Sequence, residues 1–344
     1  MSAPGTHPEV ERILVIKLRA IGDVILSTIV TKNLRLAYPG ARIHYLTELP
    51  SLDVLRGNPF IDDVVVYDRS RMGSLNLIRT VRRGHYDLVI DLFGNPRTAL
   101  VTRLSGAMQR VGFRFRGRTY AYNVLAEPRG DSVHNTQFNL DALIALGVAI
   151  QDRHIYFSFD DDDERYVESF LPPGFGPGSF IVCINSGGGW YTKRWGLDNF
   201  AALADRLARE FNARIVIPWG PGQLDEAERI RKSMTCDAFI PPATTLRQLG
   251  ALLKKCSIVI SNDSGPMHIA AAVGTPVLGI YGPTDPQLQG PYGGSHVVVR
   301  NEGLECLGCN LTACPIGHPC MLGLSVDAVF NGVRQLLVKN RITP

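Results

Sequence analysis

A chain of 344 residues is long for one core and comfortable for two domains, and 45% hydrophobic with 20% charged residues is the composition of a well-packed globular protein. A net charge of +4 argues against a nucleic-acid binder, and no apolar run reaches the roughly 18–20 residues that span a bilayer. Residues 1–11 are polar and lack the apolar stretch of a secretory signal, so a cytoplasmic location is expected. Seven cysteines then read as thiols or metal ligands rather than disulfides.

Residues 1–8 carry no periodic pattern. From there short β-branched runs alternate with amphipathic helical stretches, which implies α/β architecture with parallel sheets wrapped by helices. Strands are expected at 13–16, 42–46, 64–67 and 88–91, a helix at 24–37, and a helix at 135–146 closing the first half. The acidic stretch 160–164 and the Pro/Gly-rich run 171–178 read as a domain edge. Alternation then restarts, with strands at 180–184, 214–218, 257–261 and 277–281 and a helix at 197–211. A last amphipathic helix, 326–339, stands apart. The expected division is 1–172, 173–325 and a terminal segment 326–344 that returns to the first domain.

Three strand-to-helix loops stand where open α/β sheets bind ligands. In the first, 17–23, Gly22 permits a tight turn and leaves Asp23 at the start of a helix. Asp23 reads either as a helix cap or as a general base that accepts the proton of an attacking hydroxyl. In the second, 185–195, three consecutive glycines allow close backbone approach, and Lys193 and Arg194 supply charge for a diphosphate. The third, Asp263-Ser264-Gly265-Pro266-Met267-His268, opens a helix expected at 269–273, whose exposed N–H groups suit phosphate oxygens. No Gly-x-Gly-x-x-Gly follows Ile16 and no Walker-type lysine loop occurs, which disfavours a dehydrogenase or a P-loop enzyme.

These residues resemble a known family. Ile21-Gly22-Asp23-Val24, Asp91-Leu92-Phe93-Gly94-Asn95-Pro96-Arg97, the run from Asn262 to His268, and Tyr281-Gly282-Pro283-Thr284-Asp285-Pro286 are similar, in order and separation, to ADP-heptose–lipopolysaccharide heptosyltransferases. The resemblance implies the GT-B fold, two Rossmann-like domains facing across a cleft. It also implies a cytoplasmic, membrane-peripheral, monomeric enzyme that needs no catalytic cofactor and inverts the transferred sugar. By position, Asp23 matches the catalytic base and Lys193 the lysine that meets the donor diphosphate. Asp263, Ser264, Gly265 and His268 match the phosphate-binding turn. Asp225 and Glu226 are alternatives for the acid that holds the ribose. Arg19, Arg97, Arg114 and Arg116, within a basic stretch that also holds Arg103, Arg110 and Arg118, would meet an anionic glycolipid acceptor, the alternative being a solvated basic face.

Cys306, Cys309, Cys314 and Cys320 follow C-x2-C-x4-C-x5-C spacing, which admits a structural zinc; reduced cysteines in a long loop are the alternative. The segment is expected to lie away from the three loops.

Overall fold

The structure, a computed structural model, describes residues 10–344. The unpatterned residues 1–8 lie outside the described range. The chain divides into two compact units, Met1–Tyr156 and Phe157–Pro344.

The first unit holds six strands: β1 Arg12–Ile16, β2 Arg42–Glu48, β3 Asp63–Tyr67, β4 Leu88–Asp91, β5 Gln109–Phe113 and β6 Val124–Ala126. They form one parallel sheet in the order β3-β2-β1-β4-β5-β6. The central strands β1 and β4 read as continuous hydrophobic runs because helices cover both faces, and Ile13, Leu14, Val15, Ile16, Val89 and Ile90 are fully buried. β5 and β6 were not expected: Gln109-Arg110-Val111-Gly112-Phe113 resembles a basic loop, and three residues are too few for periodicity to register. The helix expected over 24–37 is two, Ile21–Ser27 and Ile29–Ala37. The hydroxyls of Ser27 and Thr28 donate back to Val24 O and Ile25 O at 2.7 and 2.6 Å, and the amide of Thr28 tightens to Ile25 O, which interrupts the regular ladder.

The second unit repeats the plan. β7 Ile181–Asn185, β8 Arg214–Val216, β9 Ala238–Phe239, β10 Ile258–Asn262, β11 Val277–Tyr281 and β12 Val297–Arg300 are parallel in the order β12-β11-β10-β7-β8-β9. Renumbered from its own first strand, this is the arrangement of the first unit, a doubly wound sheet whose order reverses between its first and fourth strands.

Two expected boundaries move. The acidic stretch is not a linker: Asp160 caps helix Asp161–Phe170, accepting the amides of Asp162 and Asp163 at 3.1 Å. Arg247, from helix Leu246–Lys255, pairs with Asp160 and Asp163 and ties that cap into the second unit. The division therefore falls at Tyr156/Phe157 rather than at 172/173, with the Pro/Gly run as a loop inside the second unit. The terminal helix, Val326–Asn340, packs on β11, β12 and helix Leu197–Phe211 of the second unit, with Phe330 in the core and stacked on Phe211 at 5.4 Å. Its apolar stripe needs that sheet face, so it is part of the second unit rather than a segment returning to the first.

Gly332 shows how close this packing is. A Cβ there would sit 2.4 Å from Val299 Cγ2 and 2.8 Å from Leu278 Cδ1. Alanine in a helix interior is worth about 1 kcal/mol over glycine, but overpacking costs about 1–3 kcal/mol, and a β-branched strand residue yields little. Gly332→Ala is expected to lower stability in urea unfolding by about 1–2 kcal/mol; equal or greater stability would contradict the close contact.

Candidate functional site

In the second unit the reversal point lies between β7 and β10, and the loops leaving these two strands are cross-braced. Asn185, the last residue of β7, donates from Nδ2 to Ser261 Oγ and Ser264 Oγ, both at 2.8 Å. Asn262, the last residue of β10, donates to Ser186 O at 2.7 Å and accepts the amide of Trp195 at 3.3 Å. Trp195 is fully buried and its indole N–H reaches Leu324 O at 2.8 Å. The glycine-rich loop is thus anchored at both ends.

That bracing places Lys193, in the turn Tyr191–Lys193, with its Nζ 2.6 Å from Asp263 Oδ2. The two side chains are 12% and 6% exposed. The ammonium also lies 4.3 Å from the centre of the Trp190 ring, and Asp263 Oδ2 accepts Thr284 Oγ1–H at 2.7 Å. A carboxylate repels phosphate oxygens, so Asp263 acts here by holding Lys193 and Thr284. Beside it Ser264 is the N-cap of helix Gly265–Ala272, in extended conformation. Pro266 has no N–H and the Met267 amide donates to Ser264 O at 3.2 Å, which leaves the Gly265 amide at the positive end of the helix. The helix starts four residues earlier than expected, so His268, 5% exposed, lies within its first turns rather than ahead of them.

The two acids after Trp219 differ. Asp225 is exposed. Glu226 is half-buried, with Oε1 2.6 Å from Arg194 Nη1, while Oε2 is buried with no hydrogen-bond partner among the described residues. Arg194 spends its other guanidinium nitrogens on Gly188 O at 3.3 and 3.2 Å. It therefore braces the loop and orients Glu226. A Cβ at Gly187 or Gly220 would lie 3.1 Å from Gln223 Oε1, so the backbones of both loops come together closely at this point.

In the first unit the reversal point lies between β1 and β4. Loop 17–20 is fixed by Lys17 Nζ donating to Leu92 O at 3.1 Å and by the amide of Glu48 donating to Leu18 O at 3.0 Å. Asp23 is the third residue of helix Ile21–Ser27, partly exposed, and its Oδ2 accepts the amide of Ala20 at 3.1 Å. It caps with one oxygen; Oδ1 has no hydrogen-bond partner among the described residues. On the neighbouring loop Asp91 is fully buried and accepts the amides of Phe93 and Gly94 at 3.0 and 2.8 Å and the Tyr122 hydroxyl at 2.8 Å. Burial pushes its carboxyl up, and the Gly94 N–H and Tyr122 O–H oppose this. Gly94 needs its φ of +62°, and a Cβ would meet Phe115 at 2.9 Å.

Of the expected acceptor arginines, Arg19 and Arg116 are exposed. Arg97 lies 5.5 Å from the Tyr67 ring centre, and Arg114 pairs with Glu127 at 2.8 Å. Arg118 donates to Gly94 O at 2.9 Å over Phe115. All five follow the carboxyl ends of strands. Arg110 does not belong with them: it sits at the amino end of β5 and donates to Ala107 O and Ala121 O at 2.6 and 3.0 Å. Arg103, near the end of helix Pro96–Leu104, lies toward the same amino edge. The basic stretch is thus divided between two edges. Sequence reasoning passed over Asn185, Trp190, Thr284 and Tyr122 as site residues. Asn185 and Thr284 lie inside runs already singled out, whereas nothing near Tyr122 marks its bond to Asp91.

The profile of glycosyltransferase family 9 (heptosyltransferase) matches residues 74–318. The chain belongs to this family and is a glycosyltransferase. It is similar to lipopolysaccharide heptosyltransferase 3 of Escherichia coli K12, 29% identical over 78% of this chain and 81% of the relative. It is also similar to lipopolysaccharide heptosyltransferase 1 of Pseudomonas aeruginosa, 26% identical over 88% of this chain and 87% of the relative. A family 9 glycosyl transferase from Veillonella parvula shares the fold with a TM-score of 0.88 at 24% identity, covering 98% of this chain and 100% of that one. The E. coli heptosyltransferase WaaC, solved with ADP, aligns with a TM-score of 0.73 at 21% identity over 94% of this chain and 99% of WaaC. These structures carry the GT-B fold expected from sequence.

In this glycosyltransferase the cysteine segment is not remote from the donor loops. Thr192 Oγ1, next to Lys193, donates to Leu311 O at 2.9 Å, and the amide of Asn310 donates to Pro283 O at 2.6 Å. Tyr191 meets His318 edge-on at 4.9 Å. The four cysteines line one small cavity of about 90 Å³. The expected zinc site is not shown: among the described residues no three His, Cys, Asp or Glu side chains come together as a metal-holding group. Cys309 is exposed, Cys314 Sγ accepts the His318 amide at 3.1 Å, and Cys320 is buried against Gly282. Burial pushes the Cys320 thiol up, and the neighbouring cysteines add to this. The segment acts as packing behind the Lys193 turn.

A buried pair that loses one partner leaves an uncompensated charge, while removal of both is close to neutral. Asp263→Asn and Lys193→Met are each expected to cost about 3 kcal/mol of unfolding free energy, with most of it recovered in the double variant. Additive losses would show that the two side chains do not act as a pair.

Proposed function

We propose that this family 9 enzyme transfers a heptosyl group from ADP-heptose to a hydroxyl of an anionic lipopolysaccharide core or lipid A-type acceptor. The proposed transfer inverts the anomeric centre and uses no metal ion in the chemical step. The observation that carries this reading is the braced Lys193–Asp263 pair beside the start of helix Gly265–Ala272. It presents an ammonium beside the positive end of a helix, a pairing that suits a diphosphate. The lipopolysaccharide relatives support the acceptor class, and WaaC solved with ADP and with ADP-2-deoxy-2-fluoro heptose supports the donor.

In the proposed step the acceptor oxygen forms a bond to the anomeric carbon as the bond from that carbon to the diphosphate oxygen breaks. The acceptor proton passes to Asp23, and ADP departs with the electron pair. Lys193 and the positive end of the helix take up the negative charge that grows on the leaving oxygen. Of the two acids, Glu226 is the one we assign to the ribose, because its buried Oε2 needs a donor that a ribose hydroxyl supplies. Arg19, Arg97 and Arg116, at the carboxyl edge of the first sheet, are assigned to acceptor phosphates and carboxylates. A glycolipid acceptor requires the enzyme to work at a membrane surface.

Asp23→Asn preserves the acceptor for the Ala20 amide but not the base. Its turnover is expected to fall by about 10²–10⁴-fold, while calorimetric affinity for ADP is unchanged. Normal turnover would remove the base assignment. In the same titration Glu226→Gln is expected to weaken ADP about tenfold and Asp225→Asn to leave it unchanged; the reverse order would move the ribose contact to Asp225.

A further inference from the structure

Charge is distributed very unevenly in the first unit. Between Arg69 and Ala126 there are eleven arginines, no lysine and two aspartates, a net +9 where the whole chain carries +4. One of those aspartates, Asp91, is fully buried. Helices Ser74–Arg83 and Pro96–Leu104 in this stretch pack against each other, and Arg82 Nη1 reaches Leu104 O at 3.4 Å between them. Their inward residues, among them Leu77, Val81, Ala99 and Val101, are buried. Outward they present Arg79, Arg83 and Arg103, all exposed and without an ion-pair partner among the described residues.

Apolar side chains are set among these cations. Leu75 is 70% exposed, Met108 69% and Tyr120 55%, with Leu100 and Leu104 one helical turn apart and also exposed. The turn Thr119–Ala121 packs on the second helix, so Tyr120 belongs to the same face. A purely phosphate-bearing polymer gives such side chains nothing to bury against, whereas a bilayer offers anionic headgroups above an apolar interior. Arginine rather than lysine suits headgroup phosphates, which it can bind in pairs of hydrogen bonds. No helix among the described residues is long and apolar enough to cross a membrane, so contact through this face would be interfacial.

We propose that the outer face of helices Ser74–Arg83 and Pro96–Leu104, continued by Met108 and Tyr120, docks on an anionic phospholipid surface. The arginines contact headgroup phosphates while Leu104, Met108 and Tyr120 enter the headgroup–acyl boundary. The second helix begins at the Asn95 cap, on the loop next to that of Asp23, so one rigid element joins the docking face to the proposed acceptor edge. The inference rests on the glycolipid acceptor reading for its purpose but not for its measurement.

The test is cosedimentation of the full chain with phosphatidylcholine vesicles, with and without phosphatidylglycerol, together with ADP calorimetry on every variant. Binding is expected only to the anionic vesicles and to weaken in 0.5 M salt without vanishing, because the apolar contacts are not screened. Arg83→Glu/Arg103→Glu should weaken it by more than about tenfold, and Leu104→Ser/Met108→Ser by about tenfold, with ADP affinity unchanged in both. Should the charge reversal unfold the chain, Arg83→Gln/Arg103→Gln is the substitute. Equal binding to neutral vesicles, or an undiminished Leu104→Ser/Met108→Ser variant, would overturn the proposal, the second marking a general polyanion patch. Vesicle binding without heptosyl transfer would sink the functional reading and leave the docking face standing.

Discussion

A lysine ammonium 2.6 Å from a buried carboxylate would be poor material for anion binding if it stood alone. In the proposed donor site it is held in place, because Asp263 is itself bonded to Thr284 and because Lys193 leaves a turn pinned by Trp195 on one side and Leu311 on the other. The carboxylate fixes where the cation sits, and the helix Gly265–Ala272 starts beside it. The cost of holding the charge is met during folding, so little reorganisation remains for the chemical step.

The two units show one backbone plan used twice with opposite chemistry. In each, a parallel sheet reverses its order between two central strands, and the loops leaving those strands carry the polar residues. In the first unit those loops bring Asp23, Arg19 and Arg97; in the second they bring Lys193 and Ser264, while Glu226 follows the neighbouring strand β8. Buffering each set is a layer of side-chain-to-backbone bonds, such as Asp91 with its turn and Asn262 with Ser186. Those layers make loops behave as rigid parts of the sheet.

Much of this was legible in the sequence because buried parallel strands are unbroken apolar runs. Ile13 to Ile16, Leu88 to Asp91 and Val277 to Tyr281 could be read directly, and so could the loops that follow them. What escaped notice shares a physical cause: its signal is non-local. β5 looks like a basic loop until Arg110 is seen bonded to the Ala107 and Ala121 carbonyls, and Asp160 looks like part of a domain edge until Arg247 is brought beside it. Asp225 and Glu226 are adjacent and chemically alike, and only the position of Arg194 separates them. The cysteine spacing gave no sign that the segment packs against Gly282 and the Thr192 turn. Local pattern names the elements and the loops, whereas pairing across the sheet decides what each polar side chain does.

The central claim is that Lys193 meets the diphosphate of the donor. Calorimetric titration of ADP and AMP into the wild-type chain and into Lys193→Met tests it most directly, since the two ligands differ by one phosphate. The account predicts that the wild type prefers ADP by about 10–100-fold, the worth of a charge-assisted hydrogen bond, and that the variant loses most of this preference. A Lys193→Met chain that folds normally and still discriminates ADP from AMP as well as the wild type does would contradict it.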